Sequence, residues 1–250
     1  MENQHYIIAA IAVVIVMAVS RIVVKYNRQV KERKRVLAEI IKRANTIKEV
    51  TELHRGTDSE RILIFSLIKS GVSPKALFHD LYVEISKDKF SQIDLVLATK
   101  VGIIVFEVKD YSGWIFGNGN HSHWTQILAY GREKHRFYNP IAQNRQHIEN
   151  LKRRSTQFNS LPYYSVIVFF GNCELKEVEF IPQNTYVVKS HRVAEVVELI
   201  QSENTPAHYT DKREVVDILR DAVNNGSNRD NQDIHTENIN EMLGRDRLFD

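Results

Sequence analysis

Two β-rich runs place charged side chains in stretches that are otherwise apolar. The first run is residues 91–98 and the second is residues 102–109, and between them they carry Asp94, Glu107 and Lys109. Ionised side chains are rarely buried unless they are paired or bind a metal ion. Any fold that contains these two runs as strands must therefore provide a partner for each charge.

The spacing predicts that these charges share one face of a sheet. Side chains recur on the same face at every second residue of a strand, so Glu107 and Lys109 point the same way. A short connection at residues 99–102 favours pairing of the two runs, which would bring Asp94 to that face. Two carboxylates and one ammonium suit a divalent cation such as Mg²⁺ or Mn²⁺. A salt bridge among the three residues is the structural alternative.

The order of the flanking residues is more specific than the three charges. A gap of twelve residues separates Asp94 from the Glu-x-Lys of residues 107–109, and further motif residues occur in a fixed order. They are Ser91-Gln92-Ile93, Gly102-Ile103, Tyr111-x-Gly113, Trp124 and Asn139-Pro140-Ile141-Ala142-Gln143-Asn144. The series resembles NERD, the nuclease-related domain, a family of the PD-(D/E)xK nuclease superfamily. The resemblance covers roughly residues 56–154.

The resemblance implies an α/β fold with a restriction-endonuclease-like mixed-sheet core flanked by helices. It also implies metal-dependent hydrolysis of the phosphodiester bonds of DNA, or of RNA. Asp94, Glu107 and the carbonyl of Val108 would hold Mg²⁺ or Mn²⁺, and Lys109 would hold or help deprotonate the attacking water. The alternative is a catalytically weak or inactive nuclease fold that acts as a membrane-tethered nucleic-acid-binding or scaffold protein.

Glu60 has two interpretations. Gly56 ends the preceding helix, and Asp58 or Ser59 is suited to cap a new helix that runs to about Ser70. Glu60 then falls in the first turn, where the helix dipole favours a carboxylate. In nucleases of the resembled superfamily an acidic residue on the first helix often reaches the metal site, and Glu60 matches that place.

A second helix is predicted to begin at Asn139-Pro140 and to run to about Arg154. Gln143 and His147 lie four residues apart and therefore on one face. A related nuclease group carries Gln-x-x-x-Tyr here, so Gln143 is a candidate for contacting a phosphate or orienting Lys109, and His147 is a departure.

The same helix is the most basic part of the predicted domain. Arg145, Lys152, Arg153 and Arg154 are candidates for contacting a nucleic-acid backbone. A solvated helix face is an equally good interpretation. From residue 56 onward the chain carries 23 Lys and Arg against 26 Asp and Glu, so any nucleic-acid site must be local.

Residues 6–24 are apolar apart from Arg21 and would form a helix about 28 Å long, close to the thickness of the hydrocarbon core. We predict a single-pass anchor within residues 1–25. Because positive residues follow the apolar run, the N-terminus should be outside and the rest cytoplasmic, at the inner (plasma) membrane. The alternative is a cleaved signal peptide, against which the first five residues carry Glu2 and no Lys or Arg.

Residues 26–55 are predicted to form a basic helical stalk. Residues 21–55 carry 11 Lys and Arg against 4 Asp and Glu, which favours attraction to anionic lipid. The stalk either packs on the domain or forms a short parallel coiled coil that would make a homo-oligomer.

The rest of the chain completes a domain over residues 56–224, followed by a polar flexible tail over residues 225–250. Strands are predicted at residues 77–85, 93–98, 103–109, 114–116, 164–170 and 186–188, and later helices at residues 193–200 and 215–223, with Asp211 as a start signal for the last. The tail is predicted to hold at most a short helix near residues 239–243. Cys173 is interpreted as a buried structural thiol. Trp114 and Trp124 are interpreted as packing residues that cover the open end of a sheet, with stacking on bases as the alternative.

Overall fold

The computed structural model describes residues 2–87, 89–128, 131–228, 232–233 and 236. The chain divides into two compact units, residues 1–46 and residues 47–250. Helix α1 (Glu2–Lys48) accounts for the first unit and joins the predicted anchor and most of the predicted stalk in one continuous helical backbone. The last stalk residues form turns rather than helix.

The described residues contain no helix that is both long enough and apolar enough to span a bilayer. For most of residues 6–24, where the anchor was predicted, the side chains lie outside the described structure; those of Ser20, Arg21 and Val24 are described and exposed. Membrane anchoring therefore stays a prediction.

Across residues 47–228, apart from the short gaps already given, the second unit contains two mixed sheets and five further α-helices. The strands are β1 (Leu77–Ser86), β2 (Lys89–Thr99), β3 (Gly102–Asp110), β4 (Gly113–Asn118), β5 (His123–Leu128), β6 (Glu133–Tyr138), β7 (Tyr163–Phe170), β8 (Cys173–Glu179) and β9 (Thr185–Lys189). The helices are α2 (Asp58–Lys69), α3 (Pro140–Lys152), α4 (Thr156–Ser160), α5 (Val193–Glu203) and α6 (Lys212–Ser227).

The first sheet has the strand order β1-β2-β3-β7-β9. The first three strands form an antiparallel meander, whereas β7 and β9 run parallel to β3 after the crossover through α3. The meander and the parallel strand at residues 163–170 confirm the mixed α/β core expected from the sequence.

Helices cover both faces of the first sheet, because its central strands are apolar on both sides. Phe106 and Val166 point to the layer that contains α2 and α5. Val105 and Ile103 point to the layer that contains α3 and α6. Glu107 and Lys109 follow Val105 at two-residue steps, so β3 directs both charges toward α3.

The second sheet has the order β6-β5-β4-β8, and the sequence predicted only its β4. β4 and β8 continue from β3 and β7 and pair in parallel. Trp124 of β5 is buried against Phe169 of β7, with nearly parallel rings whose centroids are 6.1 Å apart. This confirms Trp124 as a packing residue, and Cys173 is likewise buried.

Two helix starts can be compared with their predictions. Asp211 caps α6 as predicted, because its side chain accepts hydrogen bonds from the N–H groups of Arg213 and Glu214. The cap of α2 was predicted as Asp58 or Ser59 but is Thr57, whose hydroxyl accepts from the N–H of Glu60. Thr57 lies one residue earlier and has the extended backbone that a cap requires.

Helix α6 continues to Ser227, three residues into the segment predicted as a flexible tail. Gly226 is buried there, and a Cβ on it would meet the guanidinium of Arg55 and the carbonyl of Asp80. The short helix predicted near residues 239–243 lies outside the described residues.

Candidate active site

The site begins where β2 separates from β3. Pairing of β2 with β3 ends at Leu95 and Phe106. On the other side of β2, residues 79 and 81 of β1 pair with β2 but Asp80 between them does not. Asp80 has a left-handed backbone at φ +54°. Asp is among the residues that best tolerate this conformation. Asp94 lies opposite Asp80 and one residue beyond the last pair of β2 and β3, at the gap between those two strands.

A buried arginine holds Asp80 at this unpaired position. Arg55 donates from Nε to Asp80 Oδ2 at 3.0 Å and from Nη2 to the Asp80 carbonyl at 2.6 Å. Gln92 donates to the other oxygen of the same carboxylate at 2.8 Å. Arg55 also donates to the Val223 carbonyl and the Ser227 hydroxyl, so it joins α6 to the site.

Asp94 reaches across the gap to β3. Its Oδ2 accepts a hydrogen bond from the backbone N–H of Val108 at 2.7 Å. Burial raises the pKa of Asp94 well above its usual range, and the negative charges of Glu107 and Glu60 raise it further. These charges prevail over the hydrogen bond from Val108 and the charge of Lys109, which both lower the pKa.

Glu107 is 1% exposed and lies between two basic side chains. Lys109 Nζ is 2.7 Å from Oε1, and His147 Nε2 is 3.3 Å from Oε2. Burial raises the pKa of Glu107, but the close contact with the His147 imidazole and the charge of Lys109 prevail and hold that pKa below its usual range. Burial lowers the pKa of Lys109, but the charge of Glu107 prevails and raises it. Both groups are therefore ionised at neutral pH.

Helix α3 positions the basic side of the cluster. Asn139 caps it as predicted, accepting from the N–H groups of Ile141 and Ala142. Gln143, in the first turn, accepts a hydrogen bond from Lys109 Nζ at 3.0 Å. This contact agrees with the expectation that Gln143 orients Lys109.

His147 is the contact that the sequence did not predict. It lies one turn after Gln143, and its Nδ1 is 2.9 Å from the hydroxyl of Ser91 on β2. Its Nε2 and the Oε2 of Glu107 are close, yet neither atom makes a well-aligned hydrogen bond. The available signal was that His147 shares a helix face with Gln143, while Ser91 belongs to the motif series.

Glu60 is buried in α2 beside the gap. Its Oε1 accepts from the Thr57 hydroxyl at 2.7 Å, and its Oε2 is 2.9 Å from His79 Nε2. The other nitrogen of His79 is 2.8 Å from the hydroxyl of Thr51. Glu60 therefore belongs to the N-terminal cap of α2, and its negative charge also raises the pKa of Asp94.

The four basic residues at α3 do not join this cluster. Arg145 lies two residues after Gln143 and therefore on the opposite side of the helix. Lys152 donates to Glu149 at 2.8 Å, and Arg154 donates to the carbonyl of Glu84 at 3.2 Å. Arg153 is exposed, as are Arg145 and Arg154.

The residues at the gap fit a cation that binds to a few protein oxygens and otherwise to water. Across the described ranges, no three His, Cys, Asp or Glu side chains are arranged to hold a metal ion. Two neighbouring carboxylates are nevertheless present, and the buried Oε2 of Glu107 has no hydrogen-bond donor. Mg²⁺ is commonly held by one or two carboxylates and retains several waters.

Comparison with known proteins agrees with this geometry. Residues 55–170 match the sequence model of NERD, described as the nuclease-related domain. A Bacillus anthracis protein named only as uncharacterized is 27% identical over 163 residues, which is 65% of this chain and 75% of that protein. No solved structure matches the chain. Residues 55–170 of this chain are therefore similar to the nuclease-related domain family, as the order of the motif residues predicted.

Proposed function

We propose that this protein is a metal-dependent nuclease that hydrolyses phosphodiester bonds of DNA or RNA. The observation that carries the proposal is the convergence of Asp94, Glu107 and Lys109 at the gap between β2 and β3. Asp94, Glu107 and the carbonyl of Val108 would hold Mg²⁺ or Mn²⁺. Such an ion, when bound, polarises a phosphoryl group and lowers the pKa of a water molecule.

Lys109 supplies positive charge at the place where phosphate would lie. Because its pKa is raised, it is protonated at neutral pH and serves as a hydrogen-bond donor to the phosphate or the attacking water. Gln143 holds its ammonium group in place. This geometry supports an electrostatic role for Lys109 over that of a general base.

Glu60 would act on the cation site from the outer shell. Both of its oxygens are occupied by Thr57 and His79, so it is poorly placed to bind the ion directly. Its negative charge nevertheless raises the pKa of Asp94 and would favour a cation there.

Four basic side chains at α3 would contact the phosphate backbone of the nucleic acid. They are those of Arg145, Lys152, Arg153 and Arg154. Arg145 and Arg153 are exposed and have side chains available for phosphate. Lys152 and Arg154 would first have to leave their protein partners. We therefore expect Arg145 and Arg153 to contribute more to affinity.

One observation favours the alternative of a binding or scaffold module. Lys109 already compensates the charge of Glu107, and His147 packs beside the same carboxylate, so the charge of Glu107 is balanced without any cation. An inactive nuclease fold would retain such contacts for stability alone.

The deciding experiment incubates the purified full-length chain with labelled single-stranded DNA, duplex DNA and RNA. Each substrate is tested with Mg²⁺, with Mn²⁺ and with a chelator. We expect metal-dependent cleavage that Asp94→Asn and Glu107→Gln abolish and that Glu198→Gln, an exposed control on α5, retains. Full activity in Glu107→Gln contradicts the nuclease proposal, and nucleic-acid binding without cleavage favours the scaffold alternative.

We also propose that residues 6–24 anchor the protein in the inner membrane, with the domain in the cytoplasm and the stalk as a site of self-association. The apolar run and the basic residues that follow it support this arrangement. Fractionation of the full chain should place it in the membrane pellet after a high-salt wash, and deletion of residues 6–24 should release it. Recovery of the intact chain in the soluble fraction contradicts the anchor.

A further inference from the structure

The second sheet has a packed inner face and an uncovered outer face. Ile115 and Trp124 point inward and are fully buried. Gly117 points the same way, because a Cβ on it would lie 2.4 Å from the ring of Trp124. Strand alternation and the register of the three strands β4, β5 and β6 then assign the following side chains to the opposite surface, called here the outer sheet face. They are Trp114, Phe116, His123, Lys134, Arg136 and Tyr138.

The outer sheet face carries exposed aromatic rings. Tyr138 is 52% exposed. Its partner across the strands is His123, and the two rings meet edge to face at 87° with centroids 6.1 Å apart. Half of the tyrosine surface remains available, and flat rings of this kind stack on unpaired bases regardless of sequence.

Positive charge lies beside these rings. Lys134 and Arg136 of β6 are exposed, and within the described structure neither pairs with an acidic side chain. At the opposite edge, Lys176 of β8 is bound to Glu174 at 2.6 Å and lies 5.4 Å above the ring centre of Trp114. The uncompensated cations of this sheet are therefore concentrated along β6, next to Tyr138.

Two strands of this sheet, β4 and β6, connect to the candidate active site by short links. β4 begins four residues after Lys109, and β6 ends five residues before Gln143. A five-residue link spans at most about 18 Å even when fully extended. Tyr138, at the end of β6, therefore lies no more than about 18 Å from Gln143, which accepts the hydrogen bond from Lys109.

We propose that the outer sheet face binds single-stranded nucleic acid and delivers it to the active site. Bases would stack on Tyr138 and His123, while Lys134 and Arg136 contact the phosphates. A single strand is favoured over a duplex because paired bases hide the faces that such rings need. The inference rests on the proposed nuclease function and adds a substrate class to it.

Binding can be tested without cleavage. The full-length chain is titrated in EDTA against fluorescently labelled 20-nucleotide single-stranded DNA, single-stranded RNA and the corresponding 20-base-pair duplex. We expect a single strand to bind at least tenfold more tightly than the duplex, and the DNA and RNA arms identify the sugar. Tyr138→Ala should weaken single-strand binding by about tenfold, whereas Tyr138→Phe keeps the ring and should retain the affinity.

The charges are tested by salt dependence. Replacing Lys134 or Arg136 with Gln should reduce the slope of log K against log salt by about 0.7 for each phosphate that the variant no longer neutralises. Lys176→Gln, at the paired edge of the same sheet, is the matched control and should leave the slope unchanged. Equal or tighter duplex binding, or unaltered affinity in Tyr138→Ala, overturns the proposal. Since no cleavage is measured, this outcome is distinct from failure of the nuclease proposal.

Discussion

The carboxylate of Asp94 accepts a hydrogen bond at 2.7 Å from the backbone N–H of Val108, beyond the last paired residues of β2 and β3. The carboxylate of Asp94 thus accepts the hydrogen bond that a backbone carbonyl of β2 would accept if the two strands were still paired. The same carboxylate is close enough to Glu107 for each negative charge to affect the other. Asp94 therefore stabilises the folded protein through its hydrogen bond and destabilises it through its charge.

The charge of Asp94 predicts that Asp94→Asn stabilises the metal-free protein. Its folded pKa is raised above 3.8, so between pH 3.8 and the raised pKa the folded protein retains a proton that the unfolded chain releases. Stability consequently falls as pH rises through this window. Asn retains an oxygen acceptor for Val108 without the charge. Urea unfolding in EDTA at pH 7 should show a gain larger than the roughly 0.5 kcal/mol typical of surface changes.

A measurement at low pH tests whether loss of the negative charge causes the stabilisation of Asp94→Asn. Near pH 3 the gain in Asp94→Asn should largely disappear, because both the folded and the unfolded wild-type protein are then mostly protonated at this position. Glu177→Gln, an exposed substitution of the same type, should change stability little at either pH. A variant less stable than wild type at pH 7 in EDTA contradicts the prediction.

Metal binding should make the wild-type protein more stable than Asp94→Asn. If Asp94 holds a cation, Mg²⁺ or Mn²⁺ binds the folded wild-type protein and raises its melting temperature in proportion to the logarithm of metal concentration above Kd. Asp94→Asn should show a much smaller rise. Scanning fluorimetry across a metal titration measures both proteins, and equal shifts would argue that the ion binds elsewhere.

His147 is expected to position Glu107. Its ring contacts both Glu107 and the Ser91 hydroxyl, so it fixes the carboxylate between β2 and α3. Removal of such an outer-shell partner typically costs 10- to 100-fold in metal affinity or activity. We expect His147→Ala to require more metal for half-maximal cleavage, and His147→Gln to restore part of the affinity by donating to the same oxygen.

The variants at His147 need a structural control. The melting temperature of His147→Ala in EDTA reports any general decrease in stability, whereas the metal concentration for half-maximal activity reports the position of Glu107. An unchanged metal requirement in His147→Ala would show that His147 does not act through Glu107.

The central strands and the three charged residues could be predicted because their pattern is local. Residues 103–109 are apolar and branched, and a two-residue step from Glu107 to Lys109 fixes one face in any strand. The cap at Asn139 and the pairing of Gln143 with Lys109 followed from short motifs.

The missed features depend on contacts between distant residues. β6 has the sequence Glu-Lys-His-Arg before Phe137 and has no apolar alternation, because most of it is exposed on both sides. The strand forms because Phe137 packs on Trp124 and Tyr111 and because β5 pairs with it. The left-handed backbone at Asp80 likewise depends on Arg55, which is 25 residues away in the sequence.

Removal of the Arg55 side chain should be strongly destabilising. Arg55 and Asp80 are both nearly inaccessible to solvent, and the guanidinium also holds the end of α6 through Val223 and Ser227. Breaking one partner of a buried pair leaves an uncompensated charge and costs about 3–5 kcal/mol. Urea unfolding of Arg55→Ala should show a decrease of this size, whereas Arg192→Ala, which breaks an exposed pair, should change stability little.

Gly117→Ala should disturb the packing beneath the second sheet. The added Cβ would lie within 2.4–2.6 Å of ring atoms of Trp124, which is itself stacked on Phe169 and cannot move without displacing it. Overpacking of this kind costs about 1–3 kcal/mol. Gly71→Ala is the comparison, because its φ of +100° is strained for alanine while no heavy atom lies within 4 Å of the new Cβ. Both variants should lose stability, but only Gly117→Ala should shift the tryptophan emission of the folded protein, and an unaltered spectrum in that variant would contradict the close packing of Trp124 against β4.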